Sequence, residues 1–253
     1  MAADRHLAWD GLYNARDLGG LRTPSGETAW RAVVRSENPE RLTPAGWAAL
    51  ADYGVRTVID LRNDDELGAD AAARPAGITT VRVPLEDYDG APDFWRHWRD
   101  TGLWATPLYY RAYLETFPHR AAAAVTAVAA AEPGGVLVHC AAGRDRTGLI
   151  TLLLLAMAGV SVADIAADHA LSTERLAPLW PVLGLPDQGP GVAELIAGQG
   201  TTADAAIGAA LAGFESAGEG GGDLPGRVEA CLLAGGMTAT EVAAARARLG
   251  QHG

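Results

Sequence analysis

The chain contains no lysine. Its 20 Lys and Arg positions are therefore all arginine, a usage typical of a GC-rich genome, and the absence excludes a nucleotide loop of the GxxxxGK type. Cysteine is almost as scarce. Cys140 and Cys231 supply no disulfide framework, and the leading MAADRHLAWDGL lacks the apolar core of a signal peptide, so the expected compartment is the cytoplasm. Long apolar runs are missing as well. LITLLLLAMAGV, from Leu149 to Val160, is too short to span a bilayer and reads as a buried helix. Positive charge is in deficit, with a formal net charge of -11. Steering toward nucleic acid or an anionic membrane surface would be repulsive, and neither is an expected partner.

What is present suffices for one large domain, residues 1–253, with an ample core. Alternation and turn residues predict strands near 29–35, 56–61, 78–83 and 135–139, separated by helical or loop segments. This rhythm predicts an α/β fold with a central, mostly parallel sheet flanked by helices. Thr43 and Pro44, a cap and first-turn pair, open a helix over 43–53. Two stretches depart from the pattern. Residues 86–117 gather Tyr88, Phe94, Trp95, Trp98, Trp104, Tyr109, Tyr110, Tyr113 and Phe117 in a chain that is only 6% aromatic. They either wall a pocket or pack on the sheet, and Arg96, Arg99 and Arg111 among them offer contacts to a further acidic group. Residues 180–224 run from WPVLGLPDQGP to ESAGEGGGDLPG, placing a short helix pair between breaker-rich hinges. A glycine-rich hinge would let that segment move, with functionless disorder as the alternative.

The densest chemistry lies in HCAAGRDRTG, His139 to Gly148. The preceding GGVLVHC reads as a buried strand and the following TGLITLLLLAM as a buried helix, so the loop holds Cys140 where helix-start N–H groups are unpaired. Aligned amides there favour both a thiolate and a tetrahedral oxyanion. Arg146, six positions after Cys140, supplies a planar fork for two equatorial phosphoryl oxygens. Gly143 permits the sharp turn that lets the amides of Ala141, Ala142, Gly143, Arg144, Asp145 and Arg146 converge. Thr147 is placed to donate its hydroxyl to the Cys140 thiolate, and His139 to orient the loop. Cys231, in VEACLLAGG, reads as core. No metal or organic cofactor is called for.

The pattern HCxxGxxRTG resembles the signature of cysteine-dependent protein tyrosine and dual-specificity phosphatases. NARDLGGL, Asn14 to Leu21, is similar to the NFRDLGG motif of a bacterial tyrosine-phosphatase branch that includes secreted mycobacterial and listerial enzymes. VVRSENPERLTPAGWAAL, VRTVIDLRNDDE, GVSVADIAADHALS and VEACLLAGGMTATEVAAARARL match that branch in type and order, leaving gaps around residues 86–117 and 180–224. The resemblance implies a protein-tyrosine-phosphatase-like fold, phosphomonoester hydrolysis through a cysteinyl-phosphate intermediate, and a mobile helical lid at residues 180–224, after the catalytic helix. Two positions depart from it. Ala15 stands where the branch usually has phenylalanine, and Arg144 where related loops often carry lysine.

The leaving group needs a proton, and two aspartates compete to give it. The resemblance implies Asp145, inside the loop; Asp87, after the strand ITTVRVPLED, is the alternative acid, or else a solvated turn residue. Arg16 and Asp17 are expected to brace the loop from beneath through a buried ion pair. Arg62 is expected either to bind a second anionic group or to pair with Glu66. The expected substrate is a phosphorylated protein. A small phosphorylated metabolite, nucleotide-like or sugar phosphate, is the second reading, a phosphoinositide the third, and a non-catalytic phosphate-binding module the reading of another class.

Overall fold

Side-chain alternation along short apolar segments sets the layering of the molecule. Val34, Val58 and Leu137 face one side of the sheet and pack with Trp9, Leu12, Trp47 and Leu50. Val33, Ile59, Val136 and Val138 face the other side, toward the larger core. The computed structural model describes residues 4–67, 74–216 and 222–250.

Along the chain, β1 (Arg16–Asp17) is followed by a small hairpin, β2 (Arg22–Thr23) and β3 (Gly26–Glu27), and then by β4 (Val33–Ser36). Helix α1 (Pro44–Tyr53) leads to β5 (Val55–Asp60) and β6 (Thr79–Arg82). Next come α2 (Pro92–Asp100), α3 (Tyr110–Thr116), α4 (Pro118–Ala130) and β7 (Gly135–His139). The remainder is helical: α5 (Asp145–Met157), α6 (Val162–Leu176), α7 (Leu179–Val182), α8 (Gly189–Gly198), α9 (Ala203–Ala212), α10 (Leu224–Ala234) and α11 (Ala239–Leu249).

The main sheet has the order β1-β4-β7-β5-β6. Strands β4, β7, β5 and β6 are parallel, and β1 closes one edge antiparallel to β4. The expected mostly parallel sheet flanked by helices is the observed architecture. Local signals explain its punctuation. Thr43 caps α1 by accepting from the Gly46 amide, Pro44 occupies its first turn, and Gly54 ends it at φ +105°. Helix α5 is buried on every side, which is why its sequence is apolar all round. Among the described residues no helix is long and apolar enough to cross a membrane.

Only parts of the two unusual segments, Trp104 to Tyr109 and Trp180 to Gln188, contribute to the cavity described below. In residues 86–117 the rings of Phe94, Trp95, Tyr113 and Phe117 pack on one another, Trp95 and Phe117 stacked at 5.7 Å, and belong to the main core. The arginines interleaved there are engaged elsewhere: Arg96 pairs with Asp93, Arg111 with Glu115, and Arg99 lies 4.5 Å over the Tyr88 ring. None of them lines the cavity described below, which corrects the expectation of a further anion contact. Residues 180–224 carry the end of α7, then α8 and α9. Their expected glycine-rich end, ESAGEGGGDLPG, includes residues 217–221, which lie outside the described residues.

Candidate active site

Strand β7 ends at His139, Cys140 follows it, and α5 begins at Asp145. The five-residue turn between strand and helix is held from outside by its carbonyls. The Ala141 carbonyl accepts from the Asn38 amide at 2.9 Å, and those of Ala142 and Gly143 accept from Asn14 Nδ2 at 3.1 and 3.3 Å. Arg35 Nη2 donates to the Gly143 and Arg144 carbonyls at 2.9 and 3.3 Å. A trans peptide sets each carbonyl antiparallel to the following N–H, so the amides of Ala142 through Asp145 turn to the opposite side. Among the described residues none of the amides from Ala141 to Arg146 has a hydrogen-bond partner. Such a nest at a helix start presents concentrated positive potential. Gly143 is the hinge of the turn. Its φ is +66°, and a Cβ there would come within 2.1 Å of the Ser36 carbonyl oxygen.

A cavity of about 460 Å³ opens in front of this loop. Cys140, Ala141, Ala142, Arg144, Asp145 and Arg146 line its inner end, together with Glu66 and Glu86. Trp104, Tyr109, Leu179, Trp180, Leu183 and Leu185 line the outer wall. Cys140 is 3% exposed and Arg146 is 6% exposed.

The Arg146 guanidinium is tightly placed. Nη1 and Nη2 donate to the two oxygens of Glu66, the second at 2.7 Å, and Nη1 lies 3.2 Å from Glu86 Oε2. Burial works against the charge on Arg146. Hydrogen bonds to Glu66 and the charges of Cys140 and Glu86 outweigh it and hold its pKa above the ordinary value. The Glu66 pairing leaves Nε–H and the outer Nη2–H, a side-on fork suited to two oxygens of a phosphoryl group. Asp145 accepts from Arg144 Nε at 3.2 Å, and its backbone carbonyl accepts from the Tyr110 hydroxyl at 2.8 Å. Cys140, Arg146 and Asp145 are thus brought to one cavity.

Asp87 is not among the lining residues. It accepts from Arg120 at 2.7 Å and from the Gly90 amide at 2.9 Å, the position of a turn aspartate. Its neighbour Glu86 points into the site instead, a residue that sequence reasoning passed over.

Beneath the loop the ion pair differs from the expected one. Arg16 does not pair with Asp17; its Nε donates to Asp168 at 3.1 Å, and Asp17 accepts from the amides of Gly19 and Arg31 and from the Tyr53 hydroxyl. Asp168 is also 2.8 Å from Arg35 Nη1 and 2.8 Å from Arg5 Nη2. Burial would raise its pKa, but the pull of Arg16, Arg35 and Arg5 keeps it well below the usual carboxylate range. Through Arg35 this cluster touches the loop carbonyls directly. Asn14, Arg35 and Asp168 were missed as supports, although Asp168 sits with Ile165, Ser172 and Leu176 on the buried face of α6. A lone acid on a buried stripe is the signal that it needs partners.

Other expected positions are also settled in space. His139 Nδ1 lies 3.0 Å from the Cys140 carbonyl, and burial pushes the ring down to a pKa of about 4. The Thr147 hydroxyl is buried without a hydrogen-bond partner, so it does not donate to Cys140 as the sequence suggested. Arg62 does not pair with Glu66. It lines the cavity while held by Asp60 and Glu40, each at 2.8 Å. Ala15 packs in the smaller core with Trp9 and Trp47, on the far side of the sheet from α5.

The model of a family described as the tyrosine phosphatase family matches residues 7–249. A Cupriavidus necator protein with a provisional tyrosine-protein phosphatase name is 34% identical over 179 residues, 68% of this chain and 64% of that protein. A tyrosine-protein phosphatase of Nostoc commune is 35% identical over 153 residues, 57% of this chain and 49% of its own length. The triple specificity protein phosphatase PtpB of Mycobacterium tuberculosis is 31% identical over 199 residues, covering 67% of this chain and 70% of that one. The chain therefore spans about half to two thirds of the length of the first two relatives it matches.

Proposed function

Because the chain belongs to the tyrosine phosphatase family, we propose that it hydrolyses phosphomonoesters with Cys140 as nucleophile. The observation that carries this reading is the convergence of Cys140, Arg146 and Asp145 on one cavity floored by unpaired amides. Cys140 Sγ attacks phosphorus while the amides and the free fork of Arg146 hold the equatorial oxygens. The P–O bond to the leaving group breaks, and the departing oxygen takes a proton from Asp145. In the second step Asp145, now a carboxylate, takes a proton from water as the water attacks phosphorus. The P–S bond breaks, releasing inorganic phosphate and the thiolate. The retained cysteine, arginine and aspartate weigh against a module that only binds phosphate.

The acid is Asp145 in this reading because it lines the cavity and Asp87 does not. His139 and the group of Asn14, Arg16, Arg35 and Asp168 position the loop. The chain acts as a single phosphatase domain, with Trp104 and Tyr109 from residues 86–117 and Trp180, Leu183 and Leu185 from residues 180–224 as the outer wall of its site. A free thiol as nucleophile suits a reducing cytoplasm.

Trp104, Tyr109, Trp180, Leu183 and Leu185 make the outer wall apolar and aromatic, which favours an aryl phosphate such as phosphotyrosine in a protein over a sugar phosphate. The second reading, a small phosphorylated metabolite, draws on the small-molecule size of the cavity and on Arg41, Arg62 and Gln188 in its lining. Comparing kcat/KM for a phosphotyrosine peptide with that for a panel of phosphorylated metabolites separates the two. Cys140→Ser is expected to bind phosphate and lose all turnover; substantial residual hydrolysis of an aryl phosphate by that variant would overturn the assignment.

A further inference from the structure

Glu86 has no part in the chemistry above, yet it is built into the same site. Its side chain is 2% exposed and lines the cavity beside Cys140. Oε2 accepts from the Tyr88 hydroxyl at 2.7 Å and from Asn63 Nδ2 at 3.4 Å, and lies 3.2 Å from Arg146 Nη1. Glu66 already occupies the end-on fork of that guanidinium. One arginine therefore faces two carboxylates, and Asp145 brings a third to the same end of the cavity, where it pairs with Arg144. Arg62, also in the lining, is matched by Asp60 and Glu40. With both glutamates ionised, the charge of Arg146 is more than balanced before any phosphate arrives. A phosphoryl dianion entering there is repelled by each ionised carboxylate beside Arg146.

We propose that Glu86 is a second proton-bearing group of the site, whose carboxylate charge beside Arg146 opposes phosphate binding and whose protonation removes that opposition. This rests on the reading that Arg146 grips the phosphoryl group. Substrate capture is then coupled to uptake of a proton from solvent, separate from the proton that Asp145 delivers to the leaving group. The protein environment leans the same way. Burial raises the Glu86 pKa above the ordinary carboxylate value, while Arg146 and the Tyr88 hydrogen bond lower it and Glu66 and Asp145 raise it. The buried phenols of Tyr109 and Tyr113 also feel the Glu86 charge, which helps keep them protonated. Glu66 differs in kind, because its two hydrogen bonds to Arg146 overcome burial and hold it below the ordinary value, as a permanent carboxylate.

The test measures competitive inhibition by inorganic phosphate from about pH 5.5 to about pH 8.5 in the wild-type protein, Glu86→Gln and Tyr88→Phe. Glutamine mimics the protonated acid. Wild-type affinity is expected to fall relative to Glu86→Gln as pH rises, the gap reaching about tenfold, the effect of one pKa unit of coupling. A merely structural role for Glu86 would shift both curves equally at every pH. Tyr88→Phe removes a hydrogen bond that favours the carboxylate, so its loss of affinity should move to higher pH. Parallel curves for wild type and a folded Glu86→Gln would overturn the proposal. Should Glu86→Gln fail to fold, a Tyr88→Phe curve superimposed on the wild type would do so. Absence of inhibition by phosphate in the wild-type protein would instead overturn the phosphatase reading on which the proposal rests.

Discussion

The inner and outer ends of the cavity are built by opposite means. At the inner end the loop and its arginines are fixed by hydrogen bonds and buried charge: loop carbonyls to Asn14, Arg35 and Asn38, Arg146 to Glu66, and Arg35 to Asp168. The outer wall is apolar packing, with Leu183, Leu185 and Trp104 still 43%, 46% and 38% exposed. Directional bonds in a low-dielectric setting hold geometry, whereas exposed side chains on short helices tolerate different partners. The reaction is thus assigned to the rigid end and the choice of ester to the adaptable one.

The largest expected effects test the inner end. Asp145→Asn should lower kcat on an alkyl phosphate by about a hundred- to ten-thousandfold, and much less on an aryl phosphate whose leaving group departs without a proton. Asp87→Asn, which breaks only a part-exposed pair with Arg120, should stay within about twofold. Reversal of that order would move the acid to Asp87. Asp168→Asn leaves Arg5, Arg16 and Arg35 without their shared counter-charge. Thermal or denaturant unfolding should show a loss of about 3–5 kcal/mol, and an unchanged transition would remove the underlay from the account.

A pH titration of stability sharpens the same contrast. His139 and His169 have folded pKa values lowered by burial from 6.5 to about 4 and about 3. Between those values and 6.5 the unfolded chain binds protons that the folded one refuses, so stability is full above pH 6.5 and declines as pH falls toward 4. The decline should amount to about 3 kcal/mol for His139, and a flat profile across that window would contradict the burial of a neutral imidazole. The smallest effect belongs to the outer wall. Leu183→Asp and Trp104→Ala should raise KM for an aryl phosphate by up to about tenfold with kcat unchanged, the pattern of lost uniform binding. A fall in kcat instead would make the outer wall part of the chemistry.

Local features were legible in the chain. HCAAGRDRTG carries its own strand, turn and helix signals within ten residues, and the spacing of apolar segments set the parallel sheet. Pairings across long separations were not. Arg16 chooses Asp168, 152 positions away, over the adjacent Asp17, and Arg146 chooses Glu66, 80 positions away. Charge type alone names no partner, because tertiary packing decides which carboxylate is delivered. Glu86 and Asp87 show the same limit at one-residue resolution. Both are acids beyond the same strand, yet only Glu86 turns into the cavity while Asp87 pairs with Arg120.

The central claim is that phosphate passes through a bond to Cys140. Acid quenching of the protein during turnover of an isotopically labelled aryl phosphate, followed by proteolysis and mass spectrometry, tests it most directly. The account predicts labelled phosphate on the peptide containing Cys140, and none there in Cys140→Ser. Turnover with the Cys140 peptide unlabelled, or with the label on His139 or an aspartate, would contradict it.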